Sequence, residues 1–313
     1  MLVKKLSIKF LAALSCSICM VSSAEVLVIL PETGAMANAA ESIKRGLMQA
    51  NHQAGNKYTF KFVDIGQQAI ADVLKKQVGK NTELVIGPLD KQNVEALIKL
   101  QPKITTLALN QVGHRAKNIY QFALSKAEDA QALSKRMQWD GVEQLIVLRE
   151  PQAMAQTQSF YDEMALLWGD KMQTQDKLPF FQKKKQGILV LGTGKWLAQQ
   201  KLPKKNIYTL PFAIEEKQPI PEGLIYCDTP ALYITQWSDV VDAYKQKPVS
   251  LPFQRLLAFG GDAWQIADHL RKRQNNQIIE FQGRTGNIRI VDNVISRQPQ
   301  CFQYQDKVVK ILA

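Results

Sequence analysis

The sequence predicts an α/β protein made of two doubly wound, Rossmann-like lobes that face one another across a cleft. Short aliphatic runs alternate with helical stretches along almost the whole chain. The alternation completes one series and starts again near residue 126. The length of 313 residues also exceeds the roughly 250–300 that one hydrophobic core serves.

Each element has its own signal. Glu25 to Leu30 (EVLVIL) is an unbroken aliphatic run, the pattern of a strand buried on both faces, and Pro31-Glu32-Thr33-Gly34 ends it. Ala35 to Ala50 follows as a helix, with Ile43, Leu47 and Ala50 on one face. Tyr58–Asp64 reads as a strand, Ile70–Val78 as a helix, Glu83–Ile86 as a strand ended by Gly87-Pro88, and Lys91–Leu100 as a helix. Thr105–Leu109 and Tyr120–Leu124 are two more strands. The second series has a helix over Asp129–Trp139, a strand over Gln144–Leu148 and a helix over Gln156–Trp168. A strand at Gly187–Leu191 follows, then a short helix from Trp196 to Gln200 and strands at Ile207–Leu210 and Leu224–Cys227. Leu257–Arg273 is helical, and the tail from Gln282 to Leu312 reads as short strands and turns.

Strands alternating with helices form parallel sheets with right-handed crossovers. The expected organisation is therefore a signal peptide over 1–24, a first lobe over 25–125 completed by about 251–281, and a second lobe over 126–250 completed by about 282–313. No low-complexity linker separates the halves, as expected of lobes joined by several short crossings.

The N-terminus carries an export signal. Lys4, Lys5 and Lys9 precede an apolar stretch from Phe10 to Val21, and Ser22-Ser23-Ala24 supplies small residues for cleavage after Ala24. A second route is lipidation of Cys16 in Ala13-Leu14-Ser15-Cys16, which would tether the protein to the outer membrane. The expected location is the periplasm, with no transmembrane segment in the mature chain. Removing the signal takes away three lysines and no acids, so the net charge falls from +12 to +9. That surplus favours anionic partners. Its clusters are Lys183-Lys184-Lys185, Lys204-Lys205 and Arg271-Lys272-Arg273, read as solvated faces. No nucleic-acid motif accompanies them. Cys227 and Cys301 remain after cleavage, either as a disulfide or as two buried thiols.

Enzyme signatures are missing. There is no Gly-x-Ser-x-Gly elbow. Gly192-Thr193-Gly194-Lys195 imitates a phosphate loop, but lacks the earlier glycine and has Trp196 where a Ser or Thr would hold the metal. His52, His114 and His269 stand far apart, without metal-ligand spacing. Neither catalysis, nor a metal, nor a cofactor is expected.

Ligands of doubly wound sheets bind outside the carboxyl ends of the strands. The candidate binding residues are accordingly Thr33, Gly34 and Ala35 after the first strand, Gly87, Pro88 and Leu89 after the third, Asn110 after the fourth and Ser125 after the fifth. Gly192, Thr193 and Gly194 supply the matching turn of the second lobe. A helix start offers free backbone N–H groups to a carboxylate or phosphate. One reading is therefore a solute-binding protein for an amino acid or similar small anion held in the inter-lobe cleft.

The opening LVILPETGAMANAAESIKRGLMQA and the run ELVIGPLDKQNVEALIKL resemble the first and third strand–helix units of type I periplasmic-binding proteins. More specifically, the chain resembles the LppC family of penicillin-binding protein activators, also called the LpoA type. The stretches IGPLDKQNVEAL, TTLALN, FALSKAEDAQALSKRM, GLIYCDTPALY, LLAFGGDAWQIADHL and FQGRTGNIRIVDNVISRQPQCFQYQDKVVKI carry that resemblance. Cys227-Asp228-Thr229-Pro230, Gly261-Asp262-Ala263-Trp264 and Gly283-Arg284-Thr285-Gly286 are its most specific parts, and Ala231 departs from it where the family has Trp. Full-length members carry an N-terminal helical-repeat domain ahead of this module, whereas here a strand follows the signal directly. The resemblance implies a periplasmic or outer-membrane protein that is not itself catalytic. It implies a class A penicillin-binding protein, which polymerises and crosslinks peptidoglycan, as the partner.

Overall fold

The computed structural model describes residues 24–274 and 277–312. The expected signal peptide, with Cys16 and Cys19, lies outside the described residues. The first series is β1 (Ala24–Leu30), α1 (Ala37–Gln53), β2 (Tyr58–Asp64), α2 (Ile70–Gln77), β3 (Thr82–Ile86), α3 (Lys91–Leu100), β4 (Thr106–Ala108) and β5 (Ile119–Gln121). The second is α4 (Lys126–Trp139), β6 (Gln144–Arg149), α5 (Met154–Trp168), β7 (Met172–Gln175), β8 (Gln186–Leu191), α6 (Gly194–Leu197), β9 (Ile207–Thr209) and β10 (Leu224–Asp228). The chain ends with α7 (Ser238–Gln246), α8 (Leu251–Lys272), β11 (Ile279–Gln282), β12 (Asn287–Val291), β13 (Val294–Gln298), β14 (Gln300–Gln305) and β15 (Val308–Ile311).

These strands form two sheets, ordered β11-β12-β13-β5-β4-β3-β1-β2 and β15-β14-β10-β9-β8-β6-β7. Pairing is parallel from β13 to β2 and from β10 to β7, and antiparallel at the C-terminal hairpins. The aliphatic runs are explained by burial on both faces. In β1, Val26, Val28 and Leu30 pack toward Ile43 and Leu47 of α1, while Leu27 and Ile29 pack toward Val73 and Val94 of α2 and α3. All six residues of β8 are buried.

The tail departs from expectation. β12 and β13 join the first sheet, and only β14 and β15 complete the second, so the chain changes sheet at Pro299 rather than near 282. Ile288, Ile290 and Ile295 enter the core built around α1 and α8, and that burial decides the strands' side. α7 and β7 were not expected from sequence, and α8 starts at Leu251 instead of Leu257. The chain passes between sheets three times, at 122–125, at 229–237 and at Pro299.

Cys227 and Cys301 face each other in the β10·β14 ladder and form a disulfide. It joins the last parallel strand of the second sheet to its antiparallel extension, closing a chain separation of 74 residues.

α1 and α8 cross with their backbones in close contact. A Cβ at Gly46 would lie 2.0 Å from the Leu257 carbonyl oxygen, and one at Gly260 would lie 2.1 Å from that of Ile43. Each helix has a glycine where the other's backbone passes. In Gly260→Ala the better helix propensity, about 1 kcal/mol, is overridden by this contact. A net destabilisation of about 1–3 kcal/mol in urea unfolding is expected.

Candidate functional site

The turns at the carboxyl ends of the strands are where a ligand would enter. Thr33, Gly34 and Ala35 are exposed, and α1 starts beyond them at Ala37. The loop is held from behind by Asp64, whose carboxylate accepts from the Glu32 and Gly66 N–H groups, both at 2.9 Å. Gly87 and Pro88 are joined by a cis peptide bond. Gly87 has φ +104°, and a Cβ there would meet the Ile29 carbonyl oxygen at 2.1 Å, so glycine is required for this turn to cross β1. Leu89 is buried in the core. Asp90 caps α3 by accepting from the Asn93 N–H at 2.8 Å. The Asn110 amide donates to the Leu89 carbonyl at 2.9 Å and accepts from the Gln111 N–H at 2.9 Å. Ser125 sits at the N-cap of α4, where its hydroxyl makes no capping bond.

In the second lobe, the N–H groups of the predicted turn donate to carboxylates of the protein itself. The Thr193 N–H donates to Glu150 at 2.6 Å, and the Gly194 N–H donates to Glu215 at 2.8 Å. The Trp196 N–H donates to the Thr193 hydroxyl at 3.2 Å. Gly192 lies under the Trp196 ring and beside Glu150, both within 3 Å of where its Cβ would stand. The N–H groups that would capture an anionic ligand therefore have internal acceptors, one of them the buried Glu150. Sequence reading identified the turn and missed its two plugs, because Glu150 and Glu215 lie far from it in the chain. Among the described residues, no hydrogen bond joins the predicted turns of one lobe to those of the other.

The most specific family-like stretches converge elsewhere, at the three crossings. Asp262 of α8 is fully buried and accepts from the Arg284 N–H at 2.7 Å, the Thr285 N–H at 2.8 Å and the Thr285 hydroxyl at 2.7 Å. The Arg284 guanidinium donates to Asp239 of α7 at 2.6 Å and to Gln265 at 2.9 Å. Its carbonyl accepts from the Ala231 N–H at 3.0 Å, which ties down the second crossing. Arg297 of β13 donates to the Thr285 carbonyl at 3.0 Å and to Asp129 of α4. The Arg297 N–H also donates to Glu128 at 2.8 Å, which ties the first crossing to the third. Asp228, at the end of β10, is held by both arms of Arg255 from α8, at 2.8 and 2.7 Å, and by the Tyr233 hydroxyl at 2.8 Å.

The signal for this site was present in Asp228, Asp262, Arg284 and Thr285. Arg255, Arg297, Asp239, Glu128 and Asp129 gave none, because each is an ordinary charge in its own helix or strand. The arrangement suits holding two lobes at a fixed angle; every carboxylate described here is engaged by a cation or by backbone N–H groups. Among the described residues, no group of three or more His, Cys, Asp or Glu side chains could hold a metal ion. No described helix is long and apolar enough to cross a membrane.

The family model described as "LppC putative lipoprotein" matches residues 9–186. The chain belongs to the LppC family. Penicillin-binding protein activator LpoA from Klebsiella pneumoniae is 26% identical over 306 residues, covering 78% of this chain and 43% of that protein. The chain spans about half the length of the curated relatives it matches. Among solved structures, the C-domain of LpoA from Haemophilus influenzae, described as a regulator of PBP1A, superposes with a TM-score of 0.75 at 19% identity. That match covers 92% of this chain and all of the domain. A protein from Chromobacterium violaceum described as a "putative branched-chain amino acid ABC transporter" superposes with a TM-score of 0.71 at 21% identity, over 88% of this chain and 98% of that one. The two-lobed fold of the LppC module is thus the type I periplasmic-binding fold that the sequence resembled.

Two measurements test the junction. Arg284→Met leaves Asp262 and Asp239 without their shared cation, and a loss of about 3–5 kcal/mol in urea unfolding is expected. The second follows from Glu128. Burial pushes its carboxyl up to about 7, against the lowering by Arg297 and with a small addition from Asp129. The folded chain therefore holds an extra proton between the unfolded value near 4.5 and about 7. Stability from this group is full below that window, falls as pH rises through it, and is absent above it. His269, lowered by burial from the usual imidazole value, works in the opposite sense. Glu128→Gln removes only the first contribution. The wild type should lose roughly 2–3 kcal/mol more than the variant between about pH 4.5 and about pH 7.

Proposed function

We propose that this LppC-family chain is a non-catalytic regulator of peptidoglycan synthesis that binds a class A penicillin-binding protein in the periplasm. The relatives' names support the partner, and the filled turn at Thr193-Gly194 carries the choice between readings. In a solute-binding reading those N–H groups would be open to a ligand's anion, whereas here Glu150 and Glu215 hold them. A module without that ligand still has two lobes and a large surface to offer a protein.

Activation in this reading is a coupling free energy, in which the module binds the active synthase more tightly than the inactive one. The junction contributes by fixing the angle between the lobes, so that residues on both can meet the partner together. The basic surface raises the rate of encounter with an acidic patch. The division into a first lobe of 25–125 with 238–298 and a second of 126–237 with 300–312 belongs to the same proposal, as does export with cleavage after Ala24. Tethering through Cys16 is the alternative route to the same compartment.

The expected outcome is faster glycan polymerisation by a purified class A synthase when the full chain is added, with no activity of the chain alone. A panel of amino acids and small carboxylates should leave its melting temperature unchanged. A ligand at about 100 times its dissociation constant would add about 2.7 kcal/mol. Such a shift, with an unchanged synthase rate, would replace this reading by solute binding.

A further inference from the structure

The second sheet has an outer end, where its parallel strands begin, opposite the end where the three crossings lie. Parallel pairing places the first residues of β6, β8 and β9 there, and α4 and α5 run back to it and finish beside it. Large apolar side chains are exposed at this end. Phe180 is 92% exposed and Phe181 78%, and Leu166 and Trp139, near the last residues of α5 and α4, are 81% and 64% exposed.

The two phenylalanines project from the ten-residue crossover between β7 and β8, and its attachment is firm on both sides. Leu178 packs on the core of Ile188, Val190 and Leu197. Gln182 donates to the Gln186 carbonyl at 2.7 Å and to the Lys205 carbonyl at 3.3 Å. The second contact also brings together two basic clusters that are separate in sequence. Lys183 and Lys184 of the crossover join Lys204 and Lys205 of the turn before β9, and all four are exposed. Two carboxylates of this end are engaged by other cations, Glu143 by Lys185 and Asp140 by Arg136.

We propose that this outer end docks onto an anionic phospholipid surface, with Phe180 and Phe181 entering the interface and the lysines lying over the headgroups. Two adjacent aromatic side chains held out in water leave a large favourable transfer unrealised. Aromatic residues flanked by lysines match the chemistry of the boundary between acyl chains and acidic headgroups. The flanking charge argues for lipid phosphate over a neutral apolar partner. This contact is distinct from any N-terminal tether, because β1 begins in the other lobe. It does not depend on the activator reading.

The test is co-sedimentation of the full chain with vesicles of mixed phosphatidylethanolamine and phosphatidylglycerol, against vesicles of phosphatidylcholine alone. Wild type, Phe180→Ser/Phe181→Ser and Lys183→Glu/Lys184→Glu are compared. All four side chains are exposed, so unchanged melting temperatures are expected. Binding should favour the anionic vesicles and fall about tenfold or more in each variant. The proposal is overturned if wild type ignores anionic vesicles or binds both kinds equally. It is also overturned if the variants bind as wild type does, which would assign the membrane contact to other residues. Variants that keep vesicle binding but lose synthase stimulation would make this end a protein-docking surface instead.

Discussion

The angle between the two lobes depends on a buried chain of charges. It runs from Asp129 through Arg297 to Thr285, on to Asp262 and Arg284, and ends at the Ala231 N–H. One end holds the first crossing to the third, and the other holds the second crossing to the first sheet. Arg255 and Asp228 make a parallel tie between α8 and β10. Buried ion pairs add little net stability over well-packed apolar residues, because desolvation opposes their attraction. They do penalise every arrangement that separates them. That suits a junction whose task is to keep one geometry among several that the hydrophobic effect alone would allow.

This gives a physical reading of the most specific family-like stretches. Asp228, Asp262, Arg284 and Thr285 do not line an opening; they hold the crossings. In the proposed reading, a regulator that meets its partner with both lobes needs a fixed angle between them more than it needs a ligand. The second-lobe turn points the same way. Its Thr193 and Gly194 N–H groups donate to Glu150 and Glu215. The type I binding fold is thus retained in architecture, while the Thr193 and Gly194 N–H groups are engaged internally.

Strand and helix positions were largely legible, because a strand buried on both faces must be apolar throughout and a crossover helix must be apolar on one face. β1, β3 and β8 follow that rule closely. α7 was not legible, since its nine residues include Asp239, which is polar in sequence yet buried against Arg284. The destination of β12 and β13 was not legible either. An alternating strand such as Asn287–Val291 specifies one buried face, and says nothing of which sheet supplies the cover. The candidate turns were found, but not the carboxylates that engage the second-lobe one, because Glu150 and Glu215 lie distant from it in the chain.

The sequence by itself determined the α/β class, the two series of elements, the absence of familiar enzyme signatures and the positive charge, since these rest on local periodicity and composition. Only the tertiary structure decided the change of sheet at Pro299, the Cys227–Cys301 bond, the ion chain at the junction and the gathering of Lys183, Lys184, Lys204 and Lys205 beside Phe180 and Phe181. Each is a meeting of segments well separated in sequence. Such meetings are set by which apolar faces must be covered together, a condition on the whole chain that no short stretch of it records.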